Sequence, residues 1–231
     1  MYNLEVALIA SMNLSYNIFM KLILNVVLFF IPAILFAGYH ATVSTISPDI
    51  QKRMIKGNSW RKGCPVPLQN LRYLQITHKN FSGRDQRGEI IVHKDIASEV
   101  KQIFKELYAI GYPVRKMKLV SDYKGSDWQS IEADNTSAFN CRKATGSKHW
   151  SKHSYGKAID LNSIENPYIS RSGHISHKAS QQYRKRVHKM HSSADKAVLL
   201  KNDKAVRIFK KYGWKWGGDW SGVKDYQHFS K

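Results

Sequence analysis

The stretch SKHSYGKAIDLN, residues 151–162, places a histidine and an aspartate on either side of a glycine. His153 and Asp160 are seven positions apart, an odd offset that puts two side chains on opposite faces of a straight strand. The chain must therefore turn between them if both are to face one point, and Gly156 permits such a turn. KAIDLN then predicts a returning strand, with Ala158 small enough to pack under the site. Two interpretations stay open here: a metal-binding pair, or two polar residues on a surface hairpin.

A second pair of suitable side chains lies near the C-terminus in DYQHF, residues 225–229. Asp225 precedes His228 by three positions, a spacing that places both on one side of a helical turn or a bend. Because a catalytic zinc takes three protein ligands and leaves a fourth position for water, His228 would complete a set with His153 and Asp160. Asp225 would then accept the proton of water whose pKa the metal lowers. The alternative is a surface carboxylate beside a partly buried histidine.

The two blocks together resemble a known family. Ser-x-His-x-x-Gly-x-Ala-x-Asp at residues 151–160, followed by Asp-x-x-His at residues 225–228, resembles the zinc D-alanyl-D-alanine carboxypeptidases of the VanY-like type. Residues 135–169 and 209–229 are similar to that group throughout, and the similarity extends over residues 64–230. The resemblance implies an α+β domain of the Hedgehog/DD-peptidase type, in which a small antiparallel sheet carries one zinc ion and helices pack behind it.

The resemblance also implies a role for each matching position. Three residues match the zinc ligands: His153, Asp160 and His228. Asp225 matches the general base, and Ser151 matches a serine that contacts the substrate. Arg142 matches an arginine that such enzymes direct at the substrate carbonyl or its terminal carboxylate, and a bidentate guanidinium suits either group. The sequence departs from the commoner members beside the site, with a basic, histidine-rich segment and a serine in LNSIENPY where proline is frequent, and these departures bear on substrate preference.

The implied reaction is metal-assisted hydrolysis of a peptidoglycan stem peptide, at its terminal D-alanyl-D-alanine bond. One alternative is an endopeptidase that cuts inside the stem peptide, for instance at an L-alanyl-D-glutamate bond. Another is a wall-binding module that keeps the zinc fold without hydrolysis. The presence of both Asp225 and Arg142 argues against the binding module, because a site that does no hydrolysis needs no base beside the water.

The chain has 231 residues and a net charge of +20, and its first forty residues contain only Glu5 and Lys21 as acidic or basic side chains apart from histidine. Such a basic protein attracts anionic partners, which include nucleic acid, anionic lipid and acidic cell-wall polymers. Residues 22–37 form an apolar run that predicts a signal peptide or a membrane anchor, with Met20 as an alternative start. We therefore expect an exported periplasmic or cell-envelope protein that acts on peptidoglycan, with anionic wall polymers as further partners and without nucleic acid.

The apolar run and the extent of the family resemblance together divide the chain into three parts. We expect a signal or anchor at residues 1–40, a linker at 41–62 and one zinc peptidase domain at 63–231. Apolar spacing predicts helices over residues 95–111 and 202–213. Residues 112–123 have the composition of a strand, and residues 214–231 predict two short strands around a turn.

Two further features leave alternatives open. Cys64 and Cys141 form no metal-type pair and are either two buried thiols or a disulfide, which an exported protein can form. Residues 163–200 are crowded with basic residues and histidines: His174, His177, Arg184, Arg186, His188 and His191. We expect a solvated excursion with one short helix bordering the active site, and a second metal site is the alternative.

Overall fold

The structure is a computed structural model that describes residues 38–188 and 192–231. The strands are β1 (Ala41–Ser44), β2 (Leu71–Lys79), β3 (Asp85–His93), β4 (Lys116–Met117), β5 (Asn135–Thr136), β6 (Ala158–Asp160), β7 (Tyr168–Ile169), β8 (Lys215–Trp216), β9 (Lys224–Asp225) and β10 (His228–Ser230). The α-helices are α1 (Pro48–Lys56), α2 (Ala97–Ala109), α3 (Asp127–Glu132), α4 (Ser193–Ala197) and α5 (Lys204–Lys211).

The largest sheet is antiparallel, with strand order β1-β2-β3. Buried and less buried residues nearly alternate along β2, as expected for a strand with one face on the core. Helix α2 packs against this sheet through residues at helical spacing: Ala97, Val100, Ile103, Phe104 and Leu107. Helix α5 adds Val206 and Phe209 to the same core. Both helices were predicted from their apolar spacing.

A second, smaller sheet has the order β6-β10-β8 and carries the residues of interest. Strand β6 pairs antiparallel with β10, so that His228 is the partner of Asp160. Phe229 faces Trp216 across the β10–β8 pair and stacks on Phe209 with ring centroids 3.9 Å apart. This aromatic packing fastens the small sheet to the main core. The structure therefore confirms a mixed α and β domain with small antiparallel sheets and packed helices.

The prediction of a linker at residues 41–62 is wrong. Strand β1 pairs with β2, and helix α1 buries Met54 completely. Arg53 on α1 forms ion pairs with Glu89 and Asp122, both at 2.5 Å. The apolar pattern in residues 41–62 is too short to show a period. The segment contains one short edge strand and one helix of nine residues, and each buries only a few side chains. The folded part accordingly begins before residue 63.

The predicted strand at residues 112–123 is correct only for β4, whose two residues pair in parallel with β5. Tyr112, Val114, Leu119 and Val120 bury apolar side chains in irregular chain and in a 3₁₀ turn at Val120–Tyr123. Residues 214–231 contain three short strands instead of two, interrupted at the glycine pair Gly217–Gly218 by a 3₁₀ turn. Burial on both sides of such short segments removes the alternation that distinguishes a strand.

Cys64 and Cys141 form a disulfide with their Cα atoms 5.8 Å apart. It joins the segment after α1 to the residue directly before Arg142. The predicted signal or anchor at residues 1–40 falls, apart from residues 38–40, outside the described residues. Among the described residues, no helix has both the length and the apolar character that crossing a membrane requires.

Candidate metal centre

A tight turn between Ser151 and Gly156 places the first histidine. The hydroxyl of Ser151 accepts a hydrogen bond from the backbone N–H of His153 at 3.3 Å and so caps a 3₁₀ turn over Lys152–Tyr155. Gly156 ends the turn with a φ of +65°, and a Cβ there would lie 2.6 Å from the backbone nitrogen of His93. Both the backbone angle and the close approach therefore require glycine. The turn expected from the sequence is confirmed.

Three side chains converge after this turn: His153, Asp160 and His228. All are buried, and one ligand atom from each lies within 4.8 Å of the others. The Asp160 carboxylate has one oxygen 3.1 Å from Nε2 of His153 and the other 3.0 Å from Nδ1 of His228. The two histidine nitrogens are 3.3 Å apart. Among the described residues this is the one group of three or more such side chains placed to hold a metal ion.

The segment that follows β5 holds His153 in its orientation. Its Nδ1 donates to the carbonyl of Ala138 at 2.5 Å, which leaves Nε2 facing the centre as an acceptor. The preceding residue, Ser137, exchanges two backbone hydrogen bonds with Asp160, at 2.8 and 3.0 Å. One backbone segment therefore sets the position of the carboxylate and the ring orientation of the histidine.

The electrostatics of the group favour a charged carboxylate. Burial alone would raise the pKa of Asp160, but His153 and His228 hold it well below its usual range. Burial lowers the pKa of His153, yet the Asp160 carboxylate outweighs both burial and the smaller opposing effect of Arg142, so that this pKa is raised. A buried cluster of nitrogen and carboxylate donors that attract positive charge has the chemistry of a cation site.

Asp225 lies at the end of β9, opposite Tyr168 of β7 and three positions before His228. It accepts a hydrogen bond from the side-chain amide of Gln227 at 3.2 Å. Burial, and then the negative charge of Asp160, raises the pKa of Asp225 to about 6. A carboxylate whose pKa lies near neutrality is suited to accept a proton. Asp225 thus lies beside the ligand group but outside it, on a pair of short strands and not on the helical turn that its spacing also allowed.

Arg142 and Ser151 lie next to the same turn. The backbone N–H of Arg142 donates to Ser154 Oγ at 2.9 Å, and its carbonyl accepts from the N–H of Ser151 at 3.1 Å. The Arg142 guanidinium forms an ion pair with Asp127, with Nη2 and Oδ2 2.9 Å apart. Ser151 is buried, and its hydroxyl caps the turn. Arg142 is therefore held at the centre's edge by its backbone, whereas Ser151 builds the turn.

Three residues near the centre have no role assigned from the sequence. Asn140 connects the turn to the segment before α3, because its N–H donates to the carbonyl of His153 at 3.3 Å and its side chain donates to that of Gly125 at 3.1 Å. Ser154 joins Asn140 to Arg142 by hydrogen bonds. The half-exposed ring of Trp220 lies 5.4 Å from the His228 ring. Asparagine and serine are common in any sequence, so the only signal was the position of Asn140 before the motif and of Ser154 within it.

The basic segment at residues 163–200 contains a 3₁₀ turn at Lys178–Tyr183 and helix α4. Two of its histidines each have one carboxylate partner outside the segment: His177 bonds Glu132 at 2.5 Å, and His188 bonds Asp203 at 2.8 Å. Arg186 is not a freely solvated side chain, because it donates to backbone carbonyls and to Asn166. These pairs do not form a second metal group within the described residues. His191 lies outside the described residues.

The donor set of the centre fits a zinc ion. Two imidazoles and one carboxylate are typical zinc ligands, three protein ligands leave one coordination position open, and the bond from His153 to Ala138 is the outer support that such histidines usually have.

Comparison with known proteins points to the same chemistry. Residues 145–231 match the family described as D-alanyl-D-alanine carboxypeptidase. The matched range contains both blocks of the motif, and Arg142 lies just outside it. No curated protein and no solved structure gives a significant match. The match covers less than half of the chain, and it supports the resemblance drawn from the two motifs.

Proposed function

Because residues 145–231 match the D-alanyl-D-alanine carboxypeptidase family and contain both motifs of the metal centre, we propose that this protein is a zinc-dependent D,D-carboxypeptidase. Its substrate is the stem peptide of peptidoglycan, and the bond cleaved is the terminal D-alanyl-D-alanine bond. The observation that carries the proposal is the convergence of His153, Asp160 and His228, with Asp225 next to them. The domain is proposed to share the Hedgehog/DD-peptidase arrangement.

Each side chain has a distinct task in this reaction. His153, Asp160 and His228 would hold one zinc ion, which supplies a Lewis acid for the scissile carbonyl and lowers the pKa of water. Asp225 takes the proton of the attacking water, and it then delivers this proton to the leaving amine. Arg142 donates hydrogen bonds to the oxygen on which negative charge develops. Ser151 supports the substrate region through the turn that it caps.

Location and partners form part of the same proposal. The stem peptide lies outside the cytoplasmic membrane, so the apolar run at residues 22–37 is proposed to export the protein or to anchor it, leaving the domain in the periplasm or cell envelope. The net charge of +20 would favour contact with anionic wall polymers. The chain is not proposed to bind nucleic acid, since export separates it from that partner.

Endopeptidase activity inside the stem peptide is the second candidate. It is favoured by one observation, because the Arg142 guanidinium is paired with the carboxylate of Asp127, whose negative charge disfavours a terminal carboxylate beside it.

A single experiment separates the two. Purified zinc-loaded protein is incubated with muropeptides that carry defined pentapeptide stems, and the products are weighed by mass spectrometry. Loss of one alanine is expected. Release of a larger peptide would instead establish the endopeptidase, and unchanged muropeptides would contradict both.

A further inference from the structure

Arg142 is held at the edge of the metal centre by its backbone. Its N–H donates to the Ser154 hydroxyl and its carbonyl accepts from the N–H of Ser151, and both serines belong to the capped turn that carries His153. The position of the Arg142 backbone relative to the ligand histidine is therefore fixed. Only the direction of its long side chain remains to be set.

Asp127 sets that direction. Its Oδ2 lies 2.9 Å from Nη2 of Arg142, and Asp127 is the first residue of helix α3. Ser126 caps this helix by accepting a hydrogen bond from Gln129 N–H at 3.2 Å. The carbonyl of Gly125 accepts from Asn140, which in turn donates to His153. The start of α3 is thus tied to the same turn as Arg142, and the carboxylate of Asp127 has a defined place beside the guanidinium.

The remaining donors of Arg142 are only partly used. Nη1 donates to the carbonyl of Lys143 at 3.2 Å, and Nε is buried without a hydrogen-bond partner among the described residues. The side chains of Arg142 and Asp127 keep 24% and 36% of their surface exposed, so solvent reaches the pair. Exposed ion pairs of this kind contribute little to stability, and an entering group can therefore compete for the guanidinium.

An entering carboxylate and an entering carbonyl do not meet the same environment. A second carboxylate beside Arg142 would lie close to the negative charge of Asp127, and like charges in one site disfavour each other. A neutral carbonyl oxygen accepts from the guanidinium without that cost. A terminal D-alanyl-D-alanine unit carries both groups, the carbonyl of the scissile bond and the terminal carboxylate.

We infer that Asp127 is a specificity-determining residue, which directs Arg142 to the carbonyl oxygen of the bond and away from the terminal carboxylate of the peptide. The inference rests on the proposed function for its substrate. It resolves a choice that the resemblance leaves open, since the matching arginine is directed at either group. Asp127 acts through Arg142 and is a positioning residue.

The test compares two peptides that share the scissile bond: a stem peptide ending in D-alanyl-D-alanine, and the same peptide with a C-terminal amide. Asp127→Asn keeps a hydrogen-bond acceptor for Arg142 but removes the charge. We expect it to raise the ratio of kcat/KM for the acid to kcat/KM for the amide about two- to fivefold, mainly through a lower KM for the acid. Asp122→Asn is the matched control, because Asp122 bonds Arg53 at 2.5 Å outside the metal centre, and it should leave the ratio unchanged.

An unchanged or lower ratio in Asp127→Asn would overturn the inference, because a merely structural role lowers both rates together. Calorimetric binding of the two peptides to zinc-loaded wild type and Asp127→Asn gives the same comparison without hydrolysis. If the wild type cleaves neither peptide, the proposed function fails, and the binding ratio alone decides the role of Asp127. If neither the wild type nor Asp127→Asn bound either peptide, the inference about Asp127 would be overturned as well.

Discussion

His228 lies directly opposite Asp160 across the antiparallel pair of β6 and β10, with Nδ1 of the histidine 3.0 Å from Oδ1 of the carboxylate. The strand register therefore brings together two residues that are 68 positions apart in sequence, one from each motif. A shift of this register by one residue would move either side chain to the other face of the sheet. The aromatic core behind β10 fixes this register. Phe229, the residue that follows His228, is completely buried in that core, and a shift would expose it.

Replacement of His153 by alanine should abolish zinc binding. Removal of one of three ligands leaves an open, weak site, so the zinc content should fall from one ion per chain to near zero. Metal analysis of the purified protein by mass spectrometry measures this. His177→Ala is the control, since His177 also bonds a carboxylate, Glu132, but lies outside the ligand group. An unchanged zinc content in His153→Ala would contradict the ligand assignment.

Replacement of Asp225 by asparagine should lower kcat about 10²- to 10⁴-fold, the usual contribution of a general base, while the zinc content remains. The carboxamide keeps the size of the side chain but accepts no proton. Steady-state hydrolysis and metal analysis of the same sample provide both values. Asp219→Asn serves as the control, because Asp219 bonds Lys210 at 2.6 Å in the same C-terminal segment. If Asp225→Asn retained full activity, another base would have to be sought.

The convergence of His153, Asp160 and His228 could be predicted because each of the two motifs is local and the two together resemble a known family. The turn at Gly156 and the spacing around His153 and Asp160 are properties of a few adjacent residues, and a short motif preserves them. The helices α2 and α5 could be predicted for the same reason, since their apolar spacing repeats over several turns.

The remaining features depend on contacts between distant segments. The partnership of Asp127 with Arg142 and the pairing of β1 with β2 join parts of the chain that no local pattern relates. Residues 41–62 looked like a linker because a short edge strand and a single helix bury few side chains. The two-residue strands β4, β8 and β9 are likewise too short to show alternation.

Glu165 should make the free energy of unfolding of the domain fall as the pH rises from 4.5 to about 9. Glu165 is almost fully buried, and burial, followed by the charge of Asp134, raises its pKa from 4.5 to about 9. The folded state therefore holds a proton that the unfolded chain releases above pH 4.5. The stabilisation by Glu165 is complete below that pH and is lost as pH approaches 9.

Glu165→Gln tests this relationship. Glutamine does not ionise, so the urea midpoint of the variant should depend less on pH than that of the wild type between about pH 5 and about pH 8.5. Equal pH dependence in the two proteins would show that Glu165 does not hold its proton. Glu99→Gln is the control, because Glu99 pairs with Lys231 at a more exposed position.

Loss of the Cys64–Cys141 disulfide should lower the free energy of unfolding by about 2–5 kcal/mol, because the bond restricts the unfolded chain over a long loop. The loop spans 77 positions and ends next to Arg142. Denaturant unfolding of Cys64→Ser/Cys141→Ser beside the wild type measures the change. A loss of less than about 0.5 kcal/mol would mean that the unfolded chain is already restricted without the bond.

Hydrolysis of a pentapeptide stem before and after removal of the metal is the most direct measurement. Zinc-loaded protein should release D-alanine, a chelator should abolish the release, and added zinc should restore it in the wild type but not in His153→Ala. Release that persists in the metal-free protein, or no release by protein that carries one zinc ion per chain, would contradict a zinc-dependent D,D-carboxypeptidase.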